Sequence, residues 1–328
     1  MKATAIAHSN IALVKYWGKR DVALNLPAAG SLSVTLDGLS TTTTVSFDDS
    51  LDGDRLILDG QEITEGRPLD RVVTFLDLIR AEAEVTACAT VETSNDFPTA
   101  AGLASSASGF AALALAATTA AGLDWSKERL SALARRGSGS AARSLFGGFA
   151  EMKPGLRPDG ADAHAVPIAD ADHWDLRCLV ALTARGEKKV GSTQGMQRTQ
   201  ATSPFFNPWL ATMDDDLTAA RQAVENRDFG ALAGVAERSC LRMHATAIGA
   251  DPGVLYWNAT TTSLIHAVRH ARDEGLPCFF TIDAGPHVKV FCPASSATDV
   301  EAMLRDSSGV LDVLVTRPGQ GARIIEAR

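Results

Sequence analysis

The sequence predicts an α+β fold built as two domains, and three observations lead there. The chain has 328 residues, 45% of them hydrophobic, which suits two cores or one large one. Its first part reads as alternating strands leading into helices, whereas its second opens on long helices and closes on strands. A polar stretch, 185–200, follows the buried-strand pattern Cys178–Thr183 and marks the boundary. The expected domains are therefore 1–186 and 187–328.

Each element has its own signal. Ala3–Val14 is largely apolar and ends in the run Lys15-Tyr16-Trp17-Gly18-Lys19. Ser31–Leu36 and Thr41–Phe47 alternate, with threonine on one side, as half-buried strands do. Arg55–Ile63 contains Asp59-Gly60, a hairpin turn signal. Leu69–Ala81 has helical spacing, with Val72, Val73, Leu76 and Ile79 on one side. Val85, Ala87, Ala89 and Val91 alternate again as a strand. An apolar helical run spans Phe110–Ala121, and Ser126 is placed to cap the helix carrying Leu130 and Leu133. Beyond the boundary the pattern gives helices at Pro208–Asn226, Phe229–Ile248 and Tyr256–Glu274. Strands at Cys278–Ile282 and His287–Cys292 follow, then a helix at Ala297–Ser307 and strands near Val310–Val315 and Ala322–Ile325. Helices over an antiparallel sheet make the second domain α+β in its own right.

Composition narrows the function. The net charge of −8 argues against a nucleic-acid or anionic-membrane partner. It leaves small anions open, because those are captured by local clusters of donors. Cys88, Cys178, Cys240, Cys278 and Cys292 are widely spaced and form no C-x-x-C pair, which reads as reduced core thiols in a cytoplasmic protein. His266 and His270 are four apart without a surrounding H-E-x-x-H, so they read as one exposed helix face. Met1–Ala7 lacks the pattern of a secretory leader, and no run reaches the roughly 18 apolar residues that span a bilayer.

Four polar clusters could carry chemistry. The segment Pro98–Gly109, PTAAGLASSASG, is a small-residue run feeding a helix start. Its backbone N–H groups and the helix dipole would make an anion site; a tight helix-packing turn would use the same residues. It is neither a Walker A loop nor G-x-G-x-x-G. Lys15–Arg20 sets two aromatics among three cations, suited to an anionic substrate or to a solvated turn. Ser138-Gly139-Ser140 followed by Arg143 could grip a carboxylate or diphosphate, or simply start a helix. Asp283, in Thr281–Pro286, stands where an apolar strand ends; it is either a turn cap or a functional carboxylate.

Taken together, these clusters resemble the GHMP small-molecule kinases and, within them, the mevalonate diphosphate decarboxylases. The matching segments are HSNIALVKYWGKRD (His8–Asp21), SLSVTL (Ser31–Leu36), NDFPTAAGLASSASGFAALA (Asn95–Ala114), GSGSAARSLFGGF (Gly137–Phe149), GSTQGM (Gly191–Met196) with TSP (Thr202–Pro204), and IDAGPHVKV (Ile282–Val290). The resemblance implies a fold with an N-terminal domain like ribosomal protein S5 domain 2, a ferredoxin-like C-terminal domain and the active site between them. It implies that ATP, with Mg²⁺, phosphorylates the 3-hydroxyl of mevalonate 5-diphosphate, and that phosphate and CO2 then leave to give isopentenyl diphosphate for isoprenoid biosynthesis. It implies a homodimer.

The same resemblance assigns roles. Asp283 matches the catalytic aspartate, Arg143 the arginine that holds Asp283 and the substrate carboxylate, and Asn10 an asparagine near the reacting centre. Tyr16, Lys19, Ser138, Gly139 and Ser140 match positions that hold the diphosphate. Ser192 and Met196 match the substrate-contacting segment of the second domain. Gly102, Leu103, Ala104, Ser105 and Ser106 match the ATP phosphate loop, with the two serines as candidate Mg²⁺ contacts. The chain departs from the family pattern at Pro27-Ala28-Ala29-Gly30, where a more polar run is expected, and at His287, where Asn is expected. Alternatives are a related enzyme, such as a mevalonate 3-kinase or a phosphomevalonate decarboxylase, and a non-catalytic ligand-binding protein of the same fold.

Overall fold

The computed structural model describes residues 1–97, 105–186 and 188–327. Gly102, Leu103 and Ala104 of the expected phosphate loop therefore lie outside the described residues.

Two sheets organise the chain. The first runs in the order Arg323–Ala327, Lys2–Val14, Ser31–Asp48, Cys88–Asn95, Arg55–Leu58, Gln61–Ile63, with Phe149–Met152 and Ala165–Ala169 continuing beside Ser31–Asp48. The second is antiparallel, in the order Phe279–Ile282, Val288–Pro293, Leu176–Leu182, Asp312–Thr316. The two strands expected between residues 31 and 47 are one 18-residue strand. Its first part pairs with Phe149–Met152 and its second with Cys88–Asn95. The change of partner falls around Gly38, whose φ of 71° is a conformation glycine adopts without steric cost.

The alanine-rich helix Ser105–Ala120 packs on Lys2–Val14 and Ser31–Asp48. Ala107, Ala111, Ala114 and Ala117 are fully buried, and their small side chains let helix and sheet approach closely. Phe75, Leu76, Ile79, Leu113 and Leu133 complete this core. A second apolar cluster bridges the two sheets: Ile11, Leu13 and Leu32 from the first meet Leu217, Val235, Phe279 and Phe291. The helix Phe229–Ile248 touches both Lys2–Val14 and Phe279–Ile282, so it sets the spacing across the cleft.

Several expectations need correction. The sheets do not divide at 186/187: Leu176–Leu182 is an inner strand of the second sheet, and Arg323–Ala327 returns to the edge of the first. Sequence order cannot reveal a last strand that pairs with the first. The polar stretch read as a boundary runs into the helix Ser192–Thr202, which buries only Gly195, Met196 and Thr199. Pro208–Asn226 is two helices, Phe206–Leu210 and Met213–Glu225, and Thr212 between them turns its hydroxyl back to Trp209 O. The hairpin at Asp59-Gly60 is present, with positive φ at both residues, and Ser126 does accept from Arg129 N.

Candidate active site

The cleft is built where the end of the first strand meets the second sheet. Lys15 N donates to Ser239 Oγ at 3.0 Å, and Thr281 Oγ1 donates to Ala12 O at 3.4 Å. These contacts bring Asp283 against Lys15. The turn holding Asp283 is pinned from behind. Ile282 N donates to Cys240 Sγ at 3.2 Å, and His244 Nε2 lies 3.1 Å from Ile282 O. Burial lowers His244 to about 3, so the ring is neutral and donates Nε2–H to that carbonyl. Thr183 and Thr261 hydroxyls both donate to Pro286 O. His287, the departure from the family pattern, is buried and accepts Thr183 N–H on Nδ1 at 3.1 Å. It is part of the turn's scaffold.

Asp283 presents 26% of its side chain to the cleft and is flanked by two ammonium groups. Lys15 Nζ is 2.7 Å from Oδ1 and Lys289 Nζ is 3.4 Å from Oδ2. Burial opposes its ionisation, but the two lysines outweigh burial and hold the carboxyl well below the usual carboxylate range. In the sequence Lys15 stands out only within a basic run, and Lys289 sits in an ordinary strand pattern that gives no sign of a functional role.

Arg143 stands on the opposite face, 2% exposed. Its Nε donates to Ser33 Oγ at 2.8 Å, its Nη1 to Ser31 Oγ, and its Nε and Nη2 to Asn10 Oδ1 at 3.3 and 3.1 Å. Asn10 in turn donates to Ser140 O at 2.9 Å and Ser144 Oγ at 2.8 Å. The expected grip of Arg143 on Asp283 is therefore corrected: the carboxylate's ion pairs are with Lys15 and Lys289. The reason is geometric, since each lysine reaches the carboxylate directly while Arg143 is tied to strand serines. Burial lowers the guanidinium to about 10, which leaves it charged at neutral pH.

Of the expected diphosphate residues, Tyr16 and the Ser138–Ser140 segment lie near Arg143, while Lys19 lies by Arg67 and Arg71. Ser138 Oγ lies 3.2 Å from Ser140 Oγ and 3.3 Å from Ser106 Oγ. The Tyr16 hydroxyl is buried and has no hydrogen-bond partner among the described residues, and burial pushes it up to about 12, so it is available as a donor. A Cβ on Gly139 would overlap that hydroxyl, which explains glycine here. Lys19 is close enough to Arg67 and Arg71 for both to lower its pKa, although burial contributes more. Arg71, which the sequence reading did not single out, also donates to Gly137 O at 2.8 Å. Ser105 and Ser106 open the helix Ser105–Ala120. Among the described residues, no three His, Cys, Asp or Glu converge on a metal position.

From the second domain, Ser192 Oγ accepts from Lys188 Nζ at 2.9 Å, and Lys188 also donates to Ala284 O at 2.8 Å. Ser192 is thereby tied to the Asp283 turn. Met196 is buried in the apolar cluster between the sheets; beside it, a Cβ on Gly195 would clash with Tyr256 and approach Trp17. In the less polar run at 27–30, a Cβ on Gly30 would come within 2.7 Å of Leu217, so tight apolar packing takes the place of polar side chains there. A separate cavity of about 540 Å³, lined by His8, Asp37, Trp174 and Arg323 among others, contains none of these residues.

The α+β fold is that of the GHMP kinase class. Within that class the chain belongs to the diphosphomevalonate decarboxylase family. The model of the diphosphomevalonate decarboxylase-like N-terminal domain matches residues 7–165, and that of the mevalonate 5-diphosphate decarboxylase C-terminal domain matches 178–321. The diphosphomevalonate decarboxylase of Ganoderma lucidum is 38% identical, over 92% of this chain and 81% of its own. That of Homo sapiens is 38% identical, over 88% and 76%. The mevalonate diphosphate decarboxylase of Staphylococcus aureus superposes with a TM-score of 0.94 at 39% identity, covering 99% and 98% of the two chains. A relative described as MDDEF in complex with MVAPP, AMPPCP and magnesium gives 0.92 at 42%, covering 100% and 99%.

Proposed function

We propose that this chain is an ATP-dependent decarboxylase that converts mevalonate 5-diphosphate to isopentenyl diphosphate, ADP, phosphate and CO2. One observation carries the reading. Lys15, Lys289 and Arg143 are each at most 2% exposed, and among the described residues Asp283 pairs with the two lysines while Arg143 has only neutral partners. A cleft with such a surplus of buried positive charge is costly unless an anion completes it. A substrate carrying a carboxylate and a diphosphate does so. The unpartnered Tyr16 hydroxyl, the Ser138–Ser140 segment and Lys19 supply donors for more than one phosphate.

The chemistry follows from these groups. The 3-hydroxyl oxygen bonds to the γ-phosphorus of ATP as the bond to the ADP oxygen breaks, and the hydroxyl proton is released to solvent once the new P–O bond has formed. Asp283, held ionised, orients the hydroxyl; a loose phosphoryl-transfer transition state needs little prior deprotonation. The C–O bond to the new phosphate then breaks, and the bond to the carboxylate supplies the electron pair of the double bond as CO2 departs. Asp283 faces the tertiary carbon, where positive charge develops, and stabilises it. Arg143 holds the substrate carboxylate.

ATP fits the start of the Ser105–Ala120 helix, where Ser105 and Ser106 offer hydroxyls beside backbone donors. The relative bound to AMPPCP and magnesium supports ATP and Mg²⁺. Mg²⁺ here would be held chiefly by nucleotide phosphate oxygens, with Ser105 or Ser106 as the protein contact, and would neutralise phosphate charge. We assign the first sheet with its helices to a domain like ribosomal protein S5 domain 2, and the four-stranded sheet to a ferredoxin-like domain. A homodimer in the cytoplasm completes the proposal. The test is incubation with ATP, Mg²⁺ and mevalonate carrying no, one or two 5-phosphates, with ADP and CO2 both measured. The diphosphate should give the highest kcat/KM with equal ADP and CO2. Preference for the monophosphate, or ADP without CO2, would overturn the reading.

A further inference from the structure

The two ammonium groups on Asp283 come from different parts of the fold. Lys15 follows directly on the strand that carries Asn10, precedes Tyr16, and has a second firm partner in Ala12 O at 2.8 Å. Lys289 rises from an inner strand of the second sheet, Val288–Pro293, between Thr281 and Val180 of the neighbouring strands. Its Nζ is buried, with the Asp283 carboxylate at 3.4 Å and His287 O at 3.5 Å as its partners. For folding alone, such a weakly satisfied buried ammonium is a poor choice. Methionine would fill the same volume without the desolvation cost. Among the described residues, the one carboxylate this charge pairs with is that of Asp283.

We propose that Lys289 is a positioning residue that fixes the second oxygen of Asp283 and keeps the carboxylate ionised without itself touching substrate. One lysine on each oxygen prevents rotation of the carboxylate, so its free face points into the cleft. The other titratable groups around it do not compete. Arg143 and Lys188 act on Asp283 or Lys289 only at longer range. The Cys178 and Cys240 thiols are pushed up by burial, Cys240 to about 11, and His244 is neutral.

The catalytic part of this inference rests on the decarboxylase reading; the ion-pair part does not. Lys289→Met should lower kcat about tenfold or more while leaving KM for ATP and mevalonate diphosphate within about threefold. The acid limb of kcat should move to higher pH, because a carboxylate with one ammonium fewer is protonated more easily. A purely structural lysine would instead lower Tm and leave the pH profile unchanged, and that result would overturn the proposal. The second measurement needs no substrate. Asp283→Asn leaves both ammonium groups without an anion and should lower Tm, and adding Lys289→Met should recover most of that loss. Absence of this coupling would overturn the ion pair whatever the reaction. Coupling in a protein that does not turn over mevalonate diphosphate would leave the ion pair standing and overturn the decarboxylase reading alone.

Discussion

On the first-domain face of the cleft, Arg143 is buried against Ser31, Ser33 and Asn10, all neutral. On the second-domain face, Asp283 is held between Lys15 and Lys289. The arginine keeps its charge unspent, whereas the carboxylate has its charge doubly answered. An unspent buried cation is suited to capturing an anion. An over-compensated carboxylate stays ionised and still, so it suits orientation and charge stabilisation better than proton removal. The serines on Arg143 solvate it without neutralising it, which is how one cleft can keep a cation ready for substrate within reach of a carboxylate.

Breaking the carboxylate side should have the largest effect. Asp283→Asn keeps the size of the side chain and removes the charge, so turnover should fall on the order of a thousandfold or more. Substrate affinity should stay within about tenfold. Near-normal turnover would remove Asp283 from the mechanism. Arg143→Gln should cost less in turnover, about a hundredfold, but should also weaken mevalonate diphosphate binding, since the guanidinium is the unspent cation. Combining the two sharpens the comparison. With no direct ion pair between these residues, their effects on Tm should add. Their effects on kcat/KM should not, because both act through the same substrate. Thermal and kinetic measurements on all four proteins decide it; coupled Tm values would restore a direct Arg143–Asp283 contact.

The first-domain face was far more legible in the sequence than the second. Ser138–Ser140 and Arg143 lie in a glycine- and serine-rich segment, Tyr16 in an aromatic–cationic run, both odd for a core, and Asn10 stands out through the family resemblance; the structure gathers them together. The second face hides its chemistry in ordinary strand pattern. Lys289 alternates with apolar neighbours and so reads as the solvent side of a half-buried strand; it is buried because that side of the sheet faces the other domain. Ser31 and Ser33 read as polar strand positions, and only the arrival of Arg143 from 110 or more residues away gives them a task. His287 looked like an isolated departure, but its partner Thr183 is 104 residues earlier. Pairings at such separation leave no local signal.

The support behind Asp283 makes a prediction about stability. His244 is neutral in the fold, with its value lowered to about 3 by burial from 6.5. The unfolded chain takes up this proton as pH falls through about 6.5, while the folded chain resists until about 3. The stability held by the neutral ring is therefore complete above that upper value and is lost progressively as pH falls toward the lower one. The loss should be on the order of a few kcal/mol. His244→Gln removes the titration and can still donate to Ile282 O, so its Tm should depend less steeply on pH between about 7 and 4. Equal slopes for wild type and variant would show that His244 is not what the turn relies on.

The smallest effect is expected at the mouth of the first face, where no buried charge is involved. Ser106 begins the Ser105–Ala120 helix, is exposed, and places its hydroxyl 3.3 Å from that of Ser138. Backbone donors at the helix start remain when the hydroxyl is removed. Ser106→Ala should thus forfeit one neutral hydrogen bond, about 0.5–1.5 kcal/mol, read as a twofold to roughly tenfold rise in KM for ATP. Tm and KM for mevalonate diphosphate should be unchanged, because neither the core nor the Arg143 cluster is touched. A loss as large as that of Arg143→Gln would mean that the hydroxyl holds the metal-bound phosphates directly, and the division between charged interior and neutral mouth would fail. If ATP affinity and kcat are both unaffected, the hydroxyl packs only against Ser138, and Ser105, one residue earlier on the same helix start, becomes the nucleotide contact to test.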